Sequence, residues 1–171
     1  VKKVVNIPVI TVGKITPELA ESILEEGKAD LVAMGKALIA DSHLPDKLTS
    51  GRRDDIIPCI GCRYCHQTLR NFDTEYGSVR CCVNTMTGRE REYAIRPADK
   101  IKKVLIVGSG PAGMEAARVA TLRGHKAILY DKNNELGGQL LLARIPLHKD
   151  GIDVLIDYLT REMARLNVHV E

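Results

Sequence analysis

Gly108, Gly110 and Gly113 stand at the spacing G-x-G-x-x-G, between an apolar run at residues 103–107 and a helical pattern over residues 111–123. The spacing alone is a weak signal, and its strand-before, helix-after context is what makes it specific. The first lets the chain turn tightly out of a strand, the second lets backbone approach a pyrophosphate, and the third lets helix and strand pack closely. Pro111 suits a first helical position, where no N–H is needed, and Ala112 completes a small first turn. A second apolar run, residues 126–130, ends at Asp131, whose carboxylate can accept hydrogen bonds from a ribose. After a glycine-rich turn, Ile152, Leu155, Ile156, Leu159, Met163 and Leu166 recur on one helical face, and residues 168–170 begin a third strand. This stretch reads as a dinucleotide-binding βαβ unit, with FAD and NAD(P) both open as occupants.

The first fifty residues predict two further βα units. Residues 8–12 form a short apolar strand ending at Gly13, and Thr16, Pro17 and Glu18 give a capped helix start. Leu19, Ala20, Ile23 and Leu24 make its apolar face and Gly27 ends it, before a second apolar strand at residues 30–34 runs into Gly35 and Lys36. Continuous apolar strands of this kind belong to parallel sheets or barrels covered on both faces. Gly13, Gly35 and Lys36 fall at the strand ends where parallel α/β folds bind ligands, and amides with one cation there suit a phosphate.

Between residues 41 and 100 the periodicity fades, and all five cysteines lie between positions 59 and 82. A structureless connection of that length is improbable in a compact domain, so a metal centre rather than a hydrophobic core is expected to organise it. Cys59, Cys62 and Cys65 recur at every third position, as in cluster-binding runs, and Cys81 or Cys82 supplies a fourth thiolate after a spacer of 15 or 16 residues. A structural zinc site is the competing reading, but zinc ribbons call for a second CxxC knuckle, which adjacent cysteines do not make. His66 reads as a solvated neighbour, and the run Arg52, Arg53, Asp54, Asp55 as a charged surface loop. Neighbouring side chains in an extended stretch diverge, so only one of the two adjacent cysteines is expected to join the other three.

Composition excludes several classes. Lys plus Arg number 25 against 22 acids, evenly spread, and aromatic residues are 4%, so no basic stripe or stacking platform for nucleic acid emerges. No apolar run approaches the roughly 18 residues of a membrane span. The N-terminus lacks a signal-peptide pattern and an initiator methionine, so the chain reads as internal sequence. Clustered thiols point to the cytoplasm.

Strand-end glycines, a cysteine cluster and a dinucleotide fingerprint, in that order, resemble the iron–sulfur flavoenzymes of the old yellow enzyme group. These include 2,4-dienoyl-CoA reductase, 2-enoate reductase, trimethylamine dehydrogenase and related NADH:flavin oxidoreductases. The resemblance spans the whole chain. It implies that residues 1–50 are the end of an FMN-binding (β/α)8 barrel, its seventh and eighth strands, with the FMN phosphate on Gly13 and Gly35. Lys36 stands where the family usually has arginine. It implies that residues 51–100 hold a 4Fe-4S cluster on Cys59, Cys62, Cys65 and Cys81, counting back from Val83 and Asn84, with Thr85 in place of the family's proline and a spacer a few residues longer. It implies that residues 101–171 open the second nucleotide domain, where Leu136, Gly137, Gly138 and Gln139 match a family motif and where reductases carry FAD and trimethylamine dehydrogenase ADP.

The expected fold class is therefore α/β: the last two βα units of a TIM barrel, a cluster loop and the start of a Rossmann-like domain. A whole barrel needs about 250 residues, so by analogy the substrate pocket and the NAD(P)H site lie outside this chain, and no catalytic residue is assigned. The expected function is the central segment of an NAD(P)H-dependent oxidoreductase reducing an activated C=C bond, with electrons passing from FAD through 4Fe-4S to FMN, inactive as this fragment alone. Its expected partner is a small-molecule substrate, and a homo-oligomer is left open. The alternative is a non-catalytic electron-transfer or nucleotide-binding module serving a partner chain.

Overall fold

The computed structural model describes residues 1–71 and 77–171. It is a mixed α/β structure with two separate parallel sheets. The first pairs β1 (Ile10–Val12) with β2 (Leu31–Ala33), in the register Ile10 to Leu31, Thr11 to Val32 and Val12 to Ala33. Helix α1 (Pro17–Glu25) connects them, and the Thr16 hydroxyl caps it by accepting from the Leu19 N–H at 3.3 Å. The second sheet runs in the order β3 (Lys103–Val107), β4 (Lys126–Tyr130), β5 (His169–Val170), all parallel. Helix α5 (Pro111–Leu122) joins β3 to β4, and α7 (Asp150–Arg165) leads into β5.

The main core lies under the second sheet. Met114 and Ala117 of α5, Ala127 and Leu129 of β4, and Leu155, Tyr158, Leu159 and Met163 of α7 are buried together. Each large apolar side chain fully buried there contributes about 1.5–3 kcal/mol relative to exposure. The 3.6-residue pattern of α7 places Leu155, Ile156, Leu159 and Met163 inward as expected, and adds Tyr158 and Glu162. Glu162 is 4% exposed and its carboxylate accepts two hydrogen bonds from Arg165, at 2.6 and 2.9 Å. A buried carboxylate needs that pairing.

Two expectations change. Strands β1 and β2 are not covered on both faces: Ile10 is 60% exposed and Val12 73%, because one helix covers one side of only two strands. As expected, the connection after α2 (Gly35–Ala40) is not structureless: it contains α3 (Leu44–Thr49) and α4 (Tyr64–Arg70), helices too short to give a periodic signal. Nor does it lack hydrophobic anchoring, for Ile57, Ile60 and Val83 pack against the main core. Asp41 ties the rest. It is 2% exposed and accepts from Lys47 Nζ at 2.6 Å, from the Ile57 N–H at 2.9 Å and from the His43 N–H at 3.0 Å. The charged run becomes a single 3-10 turn (Arg53–Asp55) at the surface, where Arg53 pairs with Glu18 and Glu21 of α1.

Candidate functional site

The fold builds two candidate sites. At the fingerprint, β3 delivers the chain into Gly108, whose φ of +100° only glycine adopts easily, and the Gly108 N–H donates to the Tyr130 carbonyl at 2.7 Å. A Cβ on Gly113 would fall 1.9 Å from the Gly108 carbonyl oxygen, so this glycine is required for helix and strand to close. A Cβ on Gly138 would fall 2.8 Å from Gly110 Cα, so the glycine-rich turn after β4 packs directly on the fingerprint. Gly110 itself faces open space.

Gly108, Gly110, Asp131, Gly138 and Gln139 line one open cleft of about 1280 Å3, together with residues 132–135 and Leu141 and Leu142. Pro111 and Ala112 are exposed on the first turn of α5; with Gly113 they build the helix end without lining the cleft. Asp131 holds the turn: it accepts from both the N–H and the hydroxyl of Ser109, each at 2.6 Å, and from the Asn133 N–H at 2.9 Å. The Ser109 bonds, then those of Asn133, hold its carboxyl well below the usual carboxylate range. The acid thereby clamps the turn as well as presenting charge to the cleft. Glycine surfaces that any Cβ would fill, at a helix N-terminus with a fixed acid opposite, fit a dinucleotide.

The second site is built where the connection folds back on itself. Cys59, Cys62, Cys65, Cys81 and Cys82 all line one small cavity, with Ile39, Ile60 and Val83 as apolar wall and Lys36 and Arg63 as cations. All five are free thiols. Gly61 at φ +69° and Arg63 at φ +63° bend the first run so that its cysteines converge, and Arg63 precedes α4, which carries Cys65. Thr68 on α4, fully buried, accepts from the Arg80 N–H at 3.0 Å and so brings the second run alongside the first. Asn84 and Thr87 then fasten the second run to α2: Asn84 Nδ2 donates to the Ala40 carbonyl at 2.8 Å, and the Thr87 hydroxyl to the Ile39 carbonyl at 3.0 Å. Thr85, in the place of the family's proline, reaches Glu115 of α5 at 3.3 Å.

Cys82 does not turn away as an extended stretch would require. Bends at Cys82 and Val83 bring it into the cavity with Cys81, and its Sγ lies 3.0 Å from Cys62 Sγ. The Cys82 thiol and the N–H groups of Val83 and Asn84 pull the Cys81 thiol down to about 6 against the opposing effect of burial. Cys82 is raised, by Cys81 first and then by burial and Cys62. Burial, then the charges of Cys59, Cys81 and Cys62, raises Cys65. His66 is exposed, as expected. Among the described residues no three His, Cys, Asp or Glu side chains take the spacing of a site for a single metal ion. Zinc would draw its sulfurs to about 2.3 Å from one point, whereas an iron–sulfur cube spreads four thiolates around a larger body. Five thiols, with no imidazole or carboxylate among the cavity's lining residues, fit the donor set of a cube.

Gly13, at φ +122°, and Gly35 stand at neighbouring strand ends, since Val12 pairs with Ala33. Lys36, read from sequence as a phosphate cation, proves also to line the sulfur cavity. Sequence reasoning missed Gly151, whose Cβ would fall 2.7 Å from the Ile60 carbonyl oxygen, so the start of α7 seats directly on the cysteine run. A glycine near a helix start carries no such signal by itself. The missing signals for Asp41 and Thr68 were equally tertiary.

Comparison with known proteins gives the same picture. A profile of the NADH:flavin oxidoreductase / NADH oxidase family matches residues 1–55, and one of an NAD(P)-binding Rossmann-like domain matches residues 106–166. The chain is 43% identical to cinnamate reductase of Clostridium sporogenes over 99% of its own length and 25% of that protein. It is 48% identical to NADH oxidase of Thermoanaerobacter brockii over 99% of its own length and 26% of that protein. Among solved structures, a 2-naphthoyl-CoA reductase in complex with 2-naphthoyl-CoA superposes with a TM-score of 0.88 at 32% identity, over 99% of this chain and 26% of the other. The chain thus spans about a quarter of the length of the relatives it matches.

Proposed function

The chain belongs to the NADH:flavin oxidoreductase / NADH oxidase family, and from that premise we propose that it is the central segment of an enzyme that uses NAD(P)H to reduce an activated C=C bond. In this reading residues 1–50 complete an FMN barrel, residues 51–100 hold a 4Fe-4S cluster, and residues 101–171 open the FAD domain. The relatives named for reducing cinnamate and 2-naphthoyl-CoA support an acceptor whose double bond is conjugated to a carboxyl or thioester group. The observation that carries the proposal is the convergence of five cysteines on one cavity, in a chain that also forms the glycine-lined cleft.

The chain's own residues bind and orient. Gly13 and Gly35 offer amides to the FMN phosphate, with Lys36 as counter-charge. Cys59, Cys62, Cys65 and Cys81 hold the cluster, and Cys82 stands by as a fifth thiol. Gly108 and Gly110 receive the FAD pyrophosphate, with Gly138 and Gln139 across the cleft and Asp131 holding the turn. Bound flavins and cluster would supply the conversion between two-electron and one-electron transfer, chemistry that the protein places and tunes. The thiols remain available as ligands in a reducing compartment, which supports a cytoplasmic location.

The test is anaerobic purification of the full-length parent enzyme, with iron, sulfide, FMN and FAD counted and NADH-driven reduction of cinnamate followed by loss of the conjugated chromophore. Four irons, four sulfides and both flavins, with turnover, are expected. Stoichiometric zinc without sulfide, or a loaded enzyme inert toward every conjugated alkene tried, would overturn the reading.

A further inference from the structure

Lys36 has no carboxylate partner among the described residues. It is the second residue of α2, directly after β2, and it lines the same cavity as the five cysteines. Its helix is not loosely placed. Asn84 and Thr87 both donate to the last carbonyls of α2, so the segment carrying Cys81 and Cys82 and the helix carrying Lys36 form one hydrogen-bonded piece. Arg63 adds a second cation to the lining, and Ile39, Ile60 and Val83 make its apolar part. Lys36 is exposed and lines the cavity alongside the sulfur ligands, so its charge acts on them at short range.

We propose that Lys36, beyond its place at a phosphate, sets the reduction potential of the centre held by the cysteines. The inference rests on the reading of those cysteines as 4Fe-4S ligands. Reduction adds one electron to the centre, supplied by NAD(P)H, breaks no bond and makes its net charge one unit more negative. A neighbouring cation stabilises the reduced state more than the oxidised one, so the potential rises with Lys36 present. Net charge and local electrostatics are among the factors that spread such potentials over a wide range. Because the same residue stands at the end of β2, beside the strand-end glycines, the charge that favours an electron on the cluster sits toward the site that receives it. Lys36 is therefore a tuning residue for electron delivery and takes no part in bond making.

The experiment is a potentiometric titration of the cluster's EPR signal in the full-length holoenzyme, comparing wild type, Lys36→Gln and Lys36→Arg, with iron, sulfide and FMN counted in each. Lys36→Gln should lower the ratio of reduced to oxidised cluster at a fixed potential about tenfold, equivalent to 59 mV for one electron. Lys36→Arg should stay close to wild type, because the charge is kept even though its geometry changes. Equal midpoints in wild type and Lys36→Gln, both with full clusters, would overturn the inference while leaving the cluster intact. A wild type lacking iron and sulfide would instead remove the underlying reading. Loss of FMN from Lys36→Gln does not blur the result, since the signal followed is that of the cluster.

Discussion

At the residue scale, two glycines three positions apart have opposite duties. Gly113 has no room for a Cβ, which would meet the Gly108 carbonyl at 1.9 Å, whereas Gly110 has open space around it and lines the nucleotide cleft. Gly113→Ala should therefore destabilise the fold by about 1–3 kcal/mol or more, as overpacking does. Gly110→Ala should leave the denaturation midpoint nearly unchanged and empty the site of FAD. Thermal melts paired with flavin counts on the full-length enzyme separate the two, and an unchanged FAD content in Gly110→Ala would mean that the pyrophosphate lies elsewhere. Asp131 gives a pH test. Its folded value is depressed by Ser109 and Asn133, so its contribution to stability is complete above the unfolded value, about 4, and is lost as pH falls through the lower folded value. Asp131→Asn should remove that acid-side slope from urea midpoints measured between about pH 2 and 5. The fingerprint was legible because a glycine's role is set by its immediate neighbours. The clamp from Ser109 was not, since a side-chain hydroxyl at the variable second position follows no spacing rule.

At the scale of elements, the long helices announced themselves and the short ones did not. Helix α7 repeats its apolar face over four turns, so Leu155, Leu159 and Met163 could be named in advance, while α2 has six residues and α4 seven. What fixes α2 is contact from far along the chain: the Asn84 amide reaches Ala40 across 44 positions. Local pattern cannot carry that information, although the Val83-Asn84 pair did mark the segment by family likeness. The lock makes a prediction. Asn84→Ala removes the donor to Ala40 and the acceptor for the Met86 N–H at 3.0 Å, and the second cysteine run should lose its seat on α2. Each lost bond is worth about 1 kcal/mol. Iron and sulfide content after anaerobic reconstitution should fall, with the second nucleotide site still filled, because the main core under β3 and β4 does not include Asn84. A full cluster in Asn84→Ala would show that the thiols find their places without this tie.

At the scale of the whole molecule, the distribution of exposed apolar surface sets what the 171 residues can do alone. Ile10, Val12 and Leu31 stand 52–73% exposed on a sheet of two strands, and on β3 Leu105 and Val107 stand 64% and 82% exposed. Leu142, Ile145 and Leu147, on α6 (Leu140–Ala143) and the turn after it, are 70–87% exposed. A two-stranded sheet is marginal by itself, and its unpaired edges are templates for pairing with another chain. In the relatives, four times longer, further chain is available to cover such surfaces. The second sheet is better placed, since α5 and α7 close a buried core over one of its faces. Purified as the 171-residue chain, the protein should therefore keep helical signal from the nucleotide-binding part, associate into particles larger than a monomer by sedimentation, and show no NADH-driven reduction of a conjugated alkene even after cluster reconstitution. Two βα units cannot close a barrel around a flavin, and in the proposed reading the substrate is held outside them. A monodisperse monomer turning over at a rate comparable to a full-length relative would contradict both halves of this argument, because it would require β1 and β2 to be stable with their apolar faces in water and the substrate site to lie among the residues described here.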